Sequence, residues 1–600
     1  MPIQHQVVRL SALGLMALGL QGTSWSATIS GKVTAGDGRP VSGALVTVFN
    51  AERSRKETVY TAPDGSYVNT VDFSGTVTVR ARLPYFEDVT KEVLVAADKP
   101  VSADFVLSKI TDPQTLSDSL TASAHLTRVQ WKDPVMRDAF VNNCNSCHQL
   151  GNATTRIQRD EAGWTTTIQK MEFFAVLTNA QQKGIAKALT AGMDGKPVRA
   201  IQTYDVGPQL RNAKVHEWLV GDGVSFIHDA IVGQDGKLYG SDEGHDVIWV
   251  LDRTTHKIEK YPEPDIDLPK GGLFSGMPFP IGSFEGKHGP HSMAQTSDGL
   301  IWITNALSST LMSFNPKTKA FKTYEVGRTH LYPHTIRVDK KDVIWFTCMV
   351  SNEVVRFDPR TEKFTVIGLP HNGFWRAMAD IFTPYALKIA AWFPGHNLHN
   401  ELGAHKRFGV DHKEIMNAPY GIDINPVDGS VWYGKVYADK IGRIDPVTLE
   451  VVEYDTPLKG PRRPRFDRNG ILWIPAFGDS GLMAFNPKTA VFQTYKLPLL
   501  APNEYEVPYA LNVHPKTGNI WITSNMSDRS FIFDPKSKSF STYPSPTRVT
   551  WMRDWEFTTD GQGCSSNSNL PAYAIEDGVD SFVCIDLEGG ARDRQQAGRK

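Results

Sequence analysis

The chain has 600 residues, of which 40% are hydrophobic, and its 64 basic and 65 acidic side chains leave a formal net charge of -1. This composition is typical of a soluble globular protein, and at about 150 residues per domain the length predicts about three or four domains. The charge balance argues against nucleic acid, or an anionic membrane held by bulk electrostatics, as a partner.

Residues 1–26 have the pattern of a signal peptide. Arg9 precedes the apolar run 10–20, and small residues at Ser24 and Ser26 offer a cleavage site. The run is far shorter than the about 20 residues that a membrane-spanning helix needs, so cleavage is favoured over a membrane anchor. We therefore expect export to the periplasm and a mature protein without a transmembrane anchor.

Five cysteines fit an oxidising compartment. Cys144 and Cys147 belong to a motif described below, Cys564 and Cys584 are candidates for a disulfide, and Cys348 is left over. The sequence does not show whether Cys564 and Cys584 lie close enough to bond, so this pairing stays open here.

Residues 27–108 alternate apolar and polar side chains between Gly- and Pro-containing turns, which predicts a small all-β sandwich. The runs 31–33, 40–46 and 63–67 resemble the carboxypeptidase regulatory-like (transthyretin-like) family. That resemblance implies a fold and a structural or docking role. No catalytic constellation stands out in this segment.

Residues 113–200 change in character and predict helices, with Thr178 as an N-cap before a later apolar stripe. The motif Cys144-Asn145-Ser146-Cys147-His148 has the Cys-x-x-Cys-His spacing of covalent haem attachment, in which both thiols bond to the haem and the histidine binds its iron. A redox dithiol does not need the histidine, and a zinc site needs a second ligand pair, which is not nearby. The motif therefore predicts one covalently attached haem c.

The segment resembles the class I cytochrome c family, including the helix after Thr178. A methionine ahead of the last helix is the sixth iron ligand in that family, so the resemblance implies Met171, with Met193 as the alternative. The chain between His148 and Trp164 is shorter than in longer family members, which implies a more exposed iron.

From residue 214 to 590 a unit recurs that contains a Pro-x-x segment, then Asp-Gly-x-Ile/Leu-Trp, then Phe-Asp/Asn-Pro. The aromatic positions of six copies are Tyr239, Trp302, Trp345, Trp432, Trp473 and Trp521, and a degenerate seventh copy runs from Arg553 through Asp560-Gly561. Seven copies of a four-stranded meander predict a seven-bladed β-propeller. The strand 215–220 should supply the outer strand of the last blade and seal the ring. The expected fold class is mainly β: a sandwich, an α-helical haem module and a propeller.

The repeat resembles the virginiamycin B lyase (streptogramin lyase) family, whose blades carry the same pattern. The resemblance covers roughly two thirds of this chain. The resemblance implies the propeller fold. The family's lyase opens a lactone ring by a metal-assisted elimination, but its catalytic His and Glu have no assigned positions in this sequence.

One position is a large polar residue in every copy when the copies are aligned on their aromatic residue. It starts the innermost strand, so seven side chains should surround one mouth of the central channel and form a substrate pocket. We name this set the mouth ring: His228, His291, His334, Tyr420, Arg462, Tyr509 and Arg553. Its three neutral imidazoles could bind Fe, Cu, Mn or Zn as a second metal, its arginines suit an anionic substrate group, and its tyrosines can donate protons.

Further residues should reach the same face of the propeller. Those that follow the second strands are Asp242, Glu243, His245, Asn305 and Lys435. Insertions at 263–289 and 370–419 should also emerge there, either as a lid or as a packed helical patch. The second insertion contains His371, His396, His399, His405 and His412.

These predictions favour a periplasmic haem c oxidoreductase. The mouth ring would bind and oxidise a small-molecule substrate, and the haem would pass electrons to a soluble or membrane-bound acceptor. A metal-dependent lyase of the virginiamycin B lyase type with an appended cytochrome is one alternative. A non-enzymatic electron-transfer or binding protein is the other.

Overall fold

The computed structural model describes residues 26–97, 99–146, 148–171, 177–199, 201–204, 206–277, 284–393 and 416–598. A small β-sandwich, a helical segment and a ring of β-sheets follow one another along the chain. The predicted signal peptide lies almost entirely outside the described residues. Among the helices that are described, none has the length and hydrophobicity needed to cross a membrane.

Eight strands form the N-terminal sandwich. They are β1 (Ala27–Ala35), β2 (Leu45–Phe49), β3 (Arg55–Tyr60), β4 (Ser66–Val71), β5 (Gly75–Arg82), β6 (Val89–Val95), β7 (Val101–Ser102) and β8 (Phe105–Leu107). Strand β1 pairs with β4, β7 and β8, while β3, β2, β5 and β6 form a second sheet in that order. Side chains such as Val33, Val46 and Val77 are fully buried in the sandwich core, as alternation along strands predicts. The predicted sandwich is confirmed.

The described residues that follow the sandwich form five α-helices. They are α1 (Pro113–Ser119), α2 (Ala122–Leu126), α3 (Pro134–Cys144), α4 (Glu161–Lys170) and α5 (Asn179–Gly192). Asp133 caps α3 with Pro134 in its first turn, and Thr178 forms a reciprocal capping box with Gln181 at the start of α5. The helical character predicted for this segment is confirmed.

Strand β9 (Lys214–Val220) is followed by six four-stranded antiparallel sheets, each with its strands in chain order. The sheets are β10 (Ile227–Val232), β11 (Leu238–Asp242), β12 (Val247–Leu251) and β13 (Ile258–Pro262); β14 (Pro290–Gln295), β15 (Ile301–Asn305), β16 (Thr310–Phe314) and β17 (Phe321–Glu325); β18 (Pro333–Val338), β19 (Ile344–Cys348), β20 (Glu353–Asp358) and β21 (Lys363–Gly368); β22 (Pro419–Ile424), β23 (Val431–Lys435), β24 (Lys440–Ile444) and β25 (Val451–Asp455); β26 (Arg465–Phe466), β27 (Leu472–Ala476), β28 (Gly481–Asn486) and β29 (Val491–Lys496); and β30 (Pro508–Val513), β31 (Ile520–Ser524), β32 (Arg529–Asp534) and β33 (Ser539–Pro544). The repeat's aromatic residues pack one blade on the next: the rings of Trp302 and Phe357, in neighbouring blades, are 5.5 Å apart.

The seventh blade closes the propeller. It contains β34 (Glu556–Phe557), β35 (Gly563–Asn567) and β36 (Asp580–Asp586), and β9 pairs with β36 as its outer strand, as the sequence predicts. Inner strand β10 of the first blade contacts β35, so the ring of seven sheets is complete. Cys564 and Cys584 are opposite each other on β35 and β36 and form a disulfide, which settles the pairing left open above.

Strand β9 makes a second pairing that the sequence did not predict. Its other side pairs with β3, so the last blade and one sheet of the sandwich form a single eight-stranded sheet. At this junction Lys56 is fully buried and its Nζ lies 3.3 Å from Glu217 and 2.5 Å from Asp577. The sandwich is therefore held in a fixed position against the propeller.

The two insertions differ in their structure. The first contains a short 3-10 turn at Gly272–Phe274, and the second contains helix α6 (Phe374–Ala390). Residues 394–415, with His396, His399, His405 and His412, lie outside the described residues. A final helix, α7 (Gly589–Ala597), packs against the sandwich, where Asp593 accepts a hydrogen bond from the Thr70 N–H at 2.9 Å.

The helical segment packs on the face of the propeller that carries the mouth ring. Phe140 of α3 belongs to one buried cluster with Phe477 and Trp551 of the propeller. Gln149 Nε2 donates to Asp528 Oδ1 at 2.7 Å, which ties the loop after α3 to the sixth blade. The helices therefore cover the mouth.

Candidate functional site

All seven members of the mouth ring converge at one end of the central channel, and none is more than 6% exposed. The His and Tyr members are each the second residue of an inner strand: β10, β14, β18, β22 and β30. Arg462 and Arg553 depart from the prediction because they precede the two-residue strands β26 and β34. Pro461 and Pro464 flank the pair Arg462-Arg463, and a proline cannot donate a ladder hydrogen bond.

The three histidine rings contact one another in sequence around the channel, with their planes tilted. The ring centroids of His228 and His291 are 3.6 Å apart, and those of His291 and His334 are 4.0 Å apart. Burial, followed by the charges of neighbouring groups, holds the pKa of each histidine well below its usual value. All three are therefore neutral near pH 7, the form that accepts protons or binds metals.

The best metal-binding geometry differs from the predicted trio. Ligand atoms of His228, Asp229 and His291 all lie within 4.8 Å of one another. The Nδ1 atoms of His228 and His291 are buried without a hydrogen-bond partner among the described residues, whereas Nδ1 of His334 lies 3.1 Å from the Tyr420 carbonyl oxygen. Asp229 thus replaces His334 in this arrangement. It is also bonded to an arginine, as described next.

Directly beneath the ring is a buried network of charges. Arg463 Nη1 donates to both carboxylate oxygens of Asp229, at 2.8 and 2.9 Å, and lies 3.3 Å from Asp554. Arg465 approaches Asp554 at 2.6 Å. These carboxylates are therefore already balanced by cations of the network.

Arg462 and Arg553, the two arginines of the ring, form no ion pair with a carboxylate among the described residues. Arg462 packs between aromatic rings, with its guanidinium carbon 4.6 Å from the Tyr420 ring and 4.7 Å from the Tyr509 ring, and its Nε and Nη1 have no hydrogen-bond partner among the described residues. Arg553 donates to the Ser568 carbonyl at 3.0 Å. The mouth consequently has a surplus of buried positive charge.

The two tyrosines of the ring form a chain of hydrogen bonds that ends at His228, beside these arginines. The hydroxyls of Tyr420 and Tyr509 are 2.8 Å apart, and the Tyr509 hydroxyl lies 3.3 Å from His228 Nε2. Arg553 Nη1 lies 3.5 Å from the same nitrogen. A proton could therefore pass between His228 and the two hydroxyls without large movement.

The ring encloses a cavity of about 50 Å³, which we name the mouth cavity. Six ring members line it, and Tyr509 lies behind Tyr420 without lining it. Its other lining residues are Ser146, Phe226, Glu243, Phe284, Tyr332, Met349, Val350, Met416, Val436, Tyr437 and Leu570. Phe284 and Met416 come from the two insertions, so both insertions reach this face as expected.

Glu243 is the acidic residue of the mouth cavity. It is fully buried, and its Oε1 accepts a hydrogen bond from the Tyr332 hydroxyl at 3.1 Å. Burial raises its pKa to about 8, so the side chain is an uncharged acid at neutral pH. The other residues expected at the rim do not line the cavity: Asp242, His245, Asn305 and Lys435 hydrogen-bond within the surrounding loops.

A second cavity, of about 280 Å³, lies in the helical segment, and we name it the helical cavity. It is lined by Cys144, His148 and Met171 and by apolar side chains such as Trp164 and Ile185. His148 Nδ1 lies 3.1 Å from the Gln149 carbonyl oxygen, which leaves Nε2 as the nitrogen for a metal. Burial lowers the pKa of His148, which favours the neutral, metal-binding imidazole. Cys147 lies outside the described residues.

A thiol, a neutral imidazole and a thioether on one largely apolar cavity fit the donor set of a c-type haem. Met193, the alternative sixth ligand, is buried in the core of the helical segment and lines a different small cavity beside His125 and Arg128. The geometry therefore favours Met171 over Met193.

The two cavities are neighbours. Ser146, inside the Cys-x-x-Cys-His motif, and Leu570, in the last blade, line both. Pro571, Tyr573 and Ala574 of the same propeller loop also line the helical cavity. The helical segment packs over the mouth, a covering that the sequence did not predict.

Several residues of the site were missed at the level of sequence. Asp229, Arg463 and Asp554 each follow a ring member directly, so a second column of the repeat alignment would have shown charged residues in three blades. Tyr332 directly precedes the inner strand that carries His334. Leu570 has no sequence signal, because it lies in a loop of the degenerate copy.

Parts of the chain are similar to known protein families and solved structures. Residues 28–108 match the family model of the carboxypeptidase regulatory-like domain. No curated protein matches the chain. Among solved structures, a streptogramin B lyase is similar at 16% identity and a TM-score of 0.45, over 62% of this chain and 98% of that one. A catalytically inactive virginiamycin B lyase from Staphylococcus aureus with quinupristin is similar at 15% identity and a TM-score of 0.46, over 62% of this chain and 99% of that one. The propeller domain of Doa1 is similar at 9% identity and a TM-score of 0.39, over 61% and 94%.

Proposed function

We propose that the protein is a periplasmic c-type haem oxidoreductase that oxidises a small anionic substrate in the mouth cavity. The observation that carries the proposal is the wall of Ser146 and Leu570 common to both cavities. A haem held by Cys144, Cys147, His148 and Met171 would be next to a substrate in the mouth. When bound, the haem supplies a one-electron carrier that can pass electrons to a soluble or membrane-bound acceptor.

The anionic substrate follows from the surplus charge of the mouth. Arg462 and Arg553 are buried, and a buried guanidinium attracts an anion more strongly than an exposed one because water screens it less. The cavity of about 50 Å³ is small beside the roughly 300 Å³ at the low end of drug-sized sites. A small carboxylate or a similar anion fits both properties.

The residues around the cavity can also take the proton that substrate oxidation releases. His228 is neutral, and its Nδ1 lies 3.3 Å from Asp229, which would stabilise the imidazolium once it forms. The Tyr509 hydroxyl is within reach of the other nitrogen of the same ring. Glu243 is a second proton-carrying group at this cavity.

Haem attachment is tested first. Cys144→Ala together with Cys147→Ala should abolish haem staining after denaturing electrophoresis, and staining that survives would remove the basis of the proposal. Met171→Ala should remove a methionine-to-iron charge-transfer band and lower the potential, since a thioether stabilises ferrous iron. An unchanged spectrum, with a change in Met193→Ala instead, would show that the other methionine is the ligand.

Substrate oxidation is tested by haem reduction in the purified protein, with small carboxylates as candidate substrates and no other enzyme present. Arg462→Gln should raise KM strongly and leave the haem content normal. Arg468→Gln, an exposed arginine of the same blade, is the matched control and should behave as wild type. Equal kinetics in both variants would contradict the anion site.

A second function, a metal-dependent lyase, is favoured by one observation: the cluster of His228, Asp229 and His291. A metal there would act as a Lewis acid. Metal analysis should then find an ion besides haem iron, lost in His228→Ala or His291→Ala with haem content unchanged, and the double variant should cost little more than either single one. Bound metal without haem reduction favours the lyase. If the protein shows neither a bound metal nor haem reduction, the non-enzymatic binding protein is favoured.

A further inference from the structure

Helix α6 turns Arg376 and Asp380 toward the protein but leaves several large apolar side chains in solvent. The side chain of Asp380 is 7% exposed and lies 2.6 Å from His371, and it accepts a hydrogen bond from Asn352 Nδ2 at 2.9 Å. Arg376 donates to the Tyr437 carbonyl at 3.1 Å. A surface helix of a soluble protein normally turns its apolar side inward.

The exposed apolar side chains form one continuous surface, which we name the α6 face. Each is between 47% and 76% exposed: Phe374, Ile381, Phe382, Tyr385, Ile389, Trp392 and Phe393. Contiguous apolar surfaces of this kind mark sites of interaction with a protein or a membrane.

The helix is firmly attached beneath this face. Leu387 is buried in a cluster with Phe226 and Phe284, two residues that line the mouth cavity. The backbone of Ala390 approaches Gly276 so closely that a Cβ there would lie 2.2 Å from the Ala390 carbonyl oxygen. The α6 face is therefore held outward, on the side of the propeller that carries the mouth.

We propose that the α6 face inserts into the headgroup region of an anionic lipid bilayer and holds the protein on the membrane surface. The helix would lie in the plane of the interface, because its 17 residues span only about 25 Å and it carries charged residues. Trp and Tyr are the side chains that favour this boundary, since each has an apolar body and a polar tip. The overall net charge of -1 does not oppose such attachment, which depends on local apolar contact.

The charge of the helix favours an anionic lipid surface over a second copy of the chain. Lys388 is exposed at the edge of the face, and Asp380, the only acidic residue of the helix, is turned inward.

The test is flotation of the full mature protein with vesicles of phosphatidylcholine and phosphatidylglycerol in equal amounts. Wild type should float, and Phe382→Glu with Ile389→Glu should reduce the floating fraction at least tenfold. Trp392→Ala with Phe393→Ala, beyond the helix end, should reduce it without altering α6. The matched control is Val447→Glu with Val452→Glu, which places the same charges on exposed positions of the propeller and should float as wild type. Circular dichroism should be the same for all four proteins.

Three results would overturn the proposal. Wild type that stays at the bottom with these vesicles shows that the face does not bind lipid. A face variant that floats as wild type shows that another surface binds. A wild-type dimer that the face variant converts to a monomer, without flotation of either, assigns the face to a second copy of the chain.

Discussion

Replacement of Arg463 by methionine would test the charge network beneath the mouth ring. Arg463 is fully buried, and its Nη1 lies 2.8 Å from Asp229 and 3.3 Å from Asp554. Methionine keeps most of the side-chain volume but removes the charge. Asp554 retains Arg465 at 2.6 Å, whereas Asp229 loses the cation that donates to both of its oxygens, and the adjacent His228 is neutral. Loss of one member of a buried ion pair costs about 3–5 kcal/mol, so the free energy of unfolding should fall by about that much.

Urea unfolding followed by tryptophan fluorescence measures the effect. Adding Asp229→Leu should recover most of the loss, since replacing a whole buried ion pair by apolar side chains is often neutral. The matched control is Arg360→Met, which removes an exposed arginine 2.9 Å from Asp358 and should leave the midpoint unchanged. The reasoning is refuted if the single variant is as stable as wild type, or if the double variant is no more stable than the Arg463 variant.

Three further predictions use the same measurement. Cys564→Ser with Cys584→Ser opens a link over a sequence separation of 20 and should lower the free energy of unfolding by about 3 kcal/mol; a change below about 1 kcal/mol would mean that the crosslink contributes little. The pKa of Glu243 is about 8 in the folded protein against its usual 4.5, so wild-type stability should fall as pH rises through that interval, because only the folded state keeps the proton. The Glu243→Gln variant should lack this part of the pH dependence. Stability profiles that run parallel in the variant and in wild type would contradict the prediction. Thr178→Ala removes the capping box of α5 and should cost about 1 kcal/mol, whereas Thr166→Ala in the exposed middle of α4 should cost less.

The repeat made the mouth ring predictable. Equivalent positions in successive blades have the same relation to the channel axis, so one aligned column was enough to bring His228 and Tyr509 together from a distance of 281 residues. The column could not specify which way each side chain turns. Nδ1 of His334 faces the Tyr420 carbonyl, and for that reason Asp229 completes the possible metal cluster instead.

The covering of the mouth was beyond prediction because it depends on contacts between unrelated segments. Gln149 and Asp528 are 379 residues apart, and neither is part of a repeating pattern that links them. The joining of β9 to β3 is similar, since strand edges pair through backbone groups that every sequence has. The exposure of the apolar residues of α6 was equally hidden. Its apolar residues predict a helix, but only the surrounding partners of Asp380 decide which side faces solvent.

The buried polar groups of the mouth lower the stability of the fold, and this loss favours a functional role over a structural one. Arg462 buries two nitrogens, and His291 buries its Nδ1, without a hydrogen-bond partner among the described residues. Each such atom destabilises the fold by about 1–3 kcal/mol, and apolar residues of the same size would avoid that loss. A propeller that served only to dock a cytochrome would gain stability from such replacements at its centre. The polar ring is better explained by a ligand that supplies the missing partners, and the adjoining wall of Ser146 would bring that ligand close to the proposed haem.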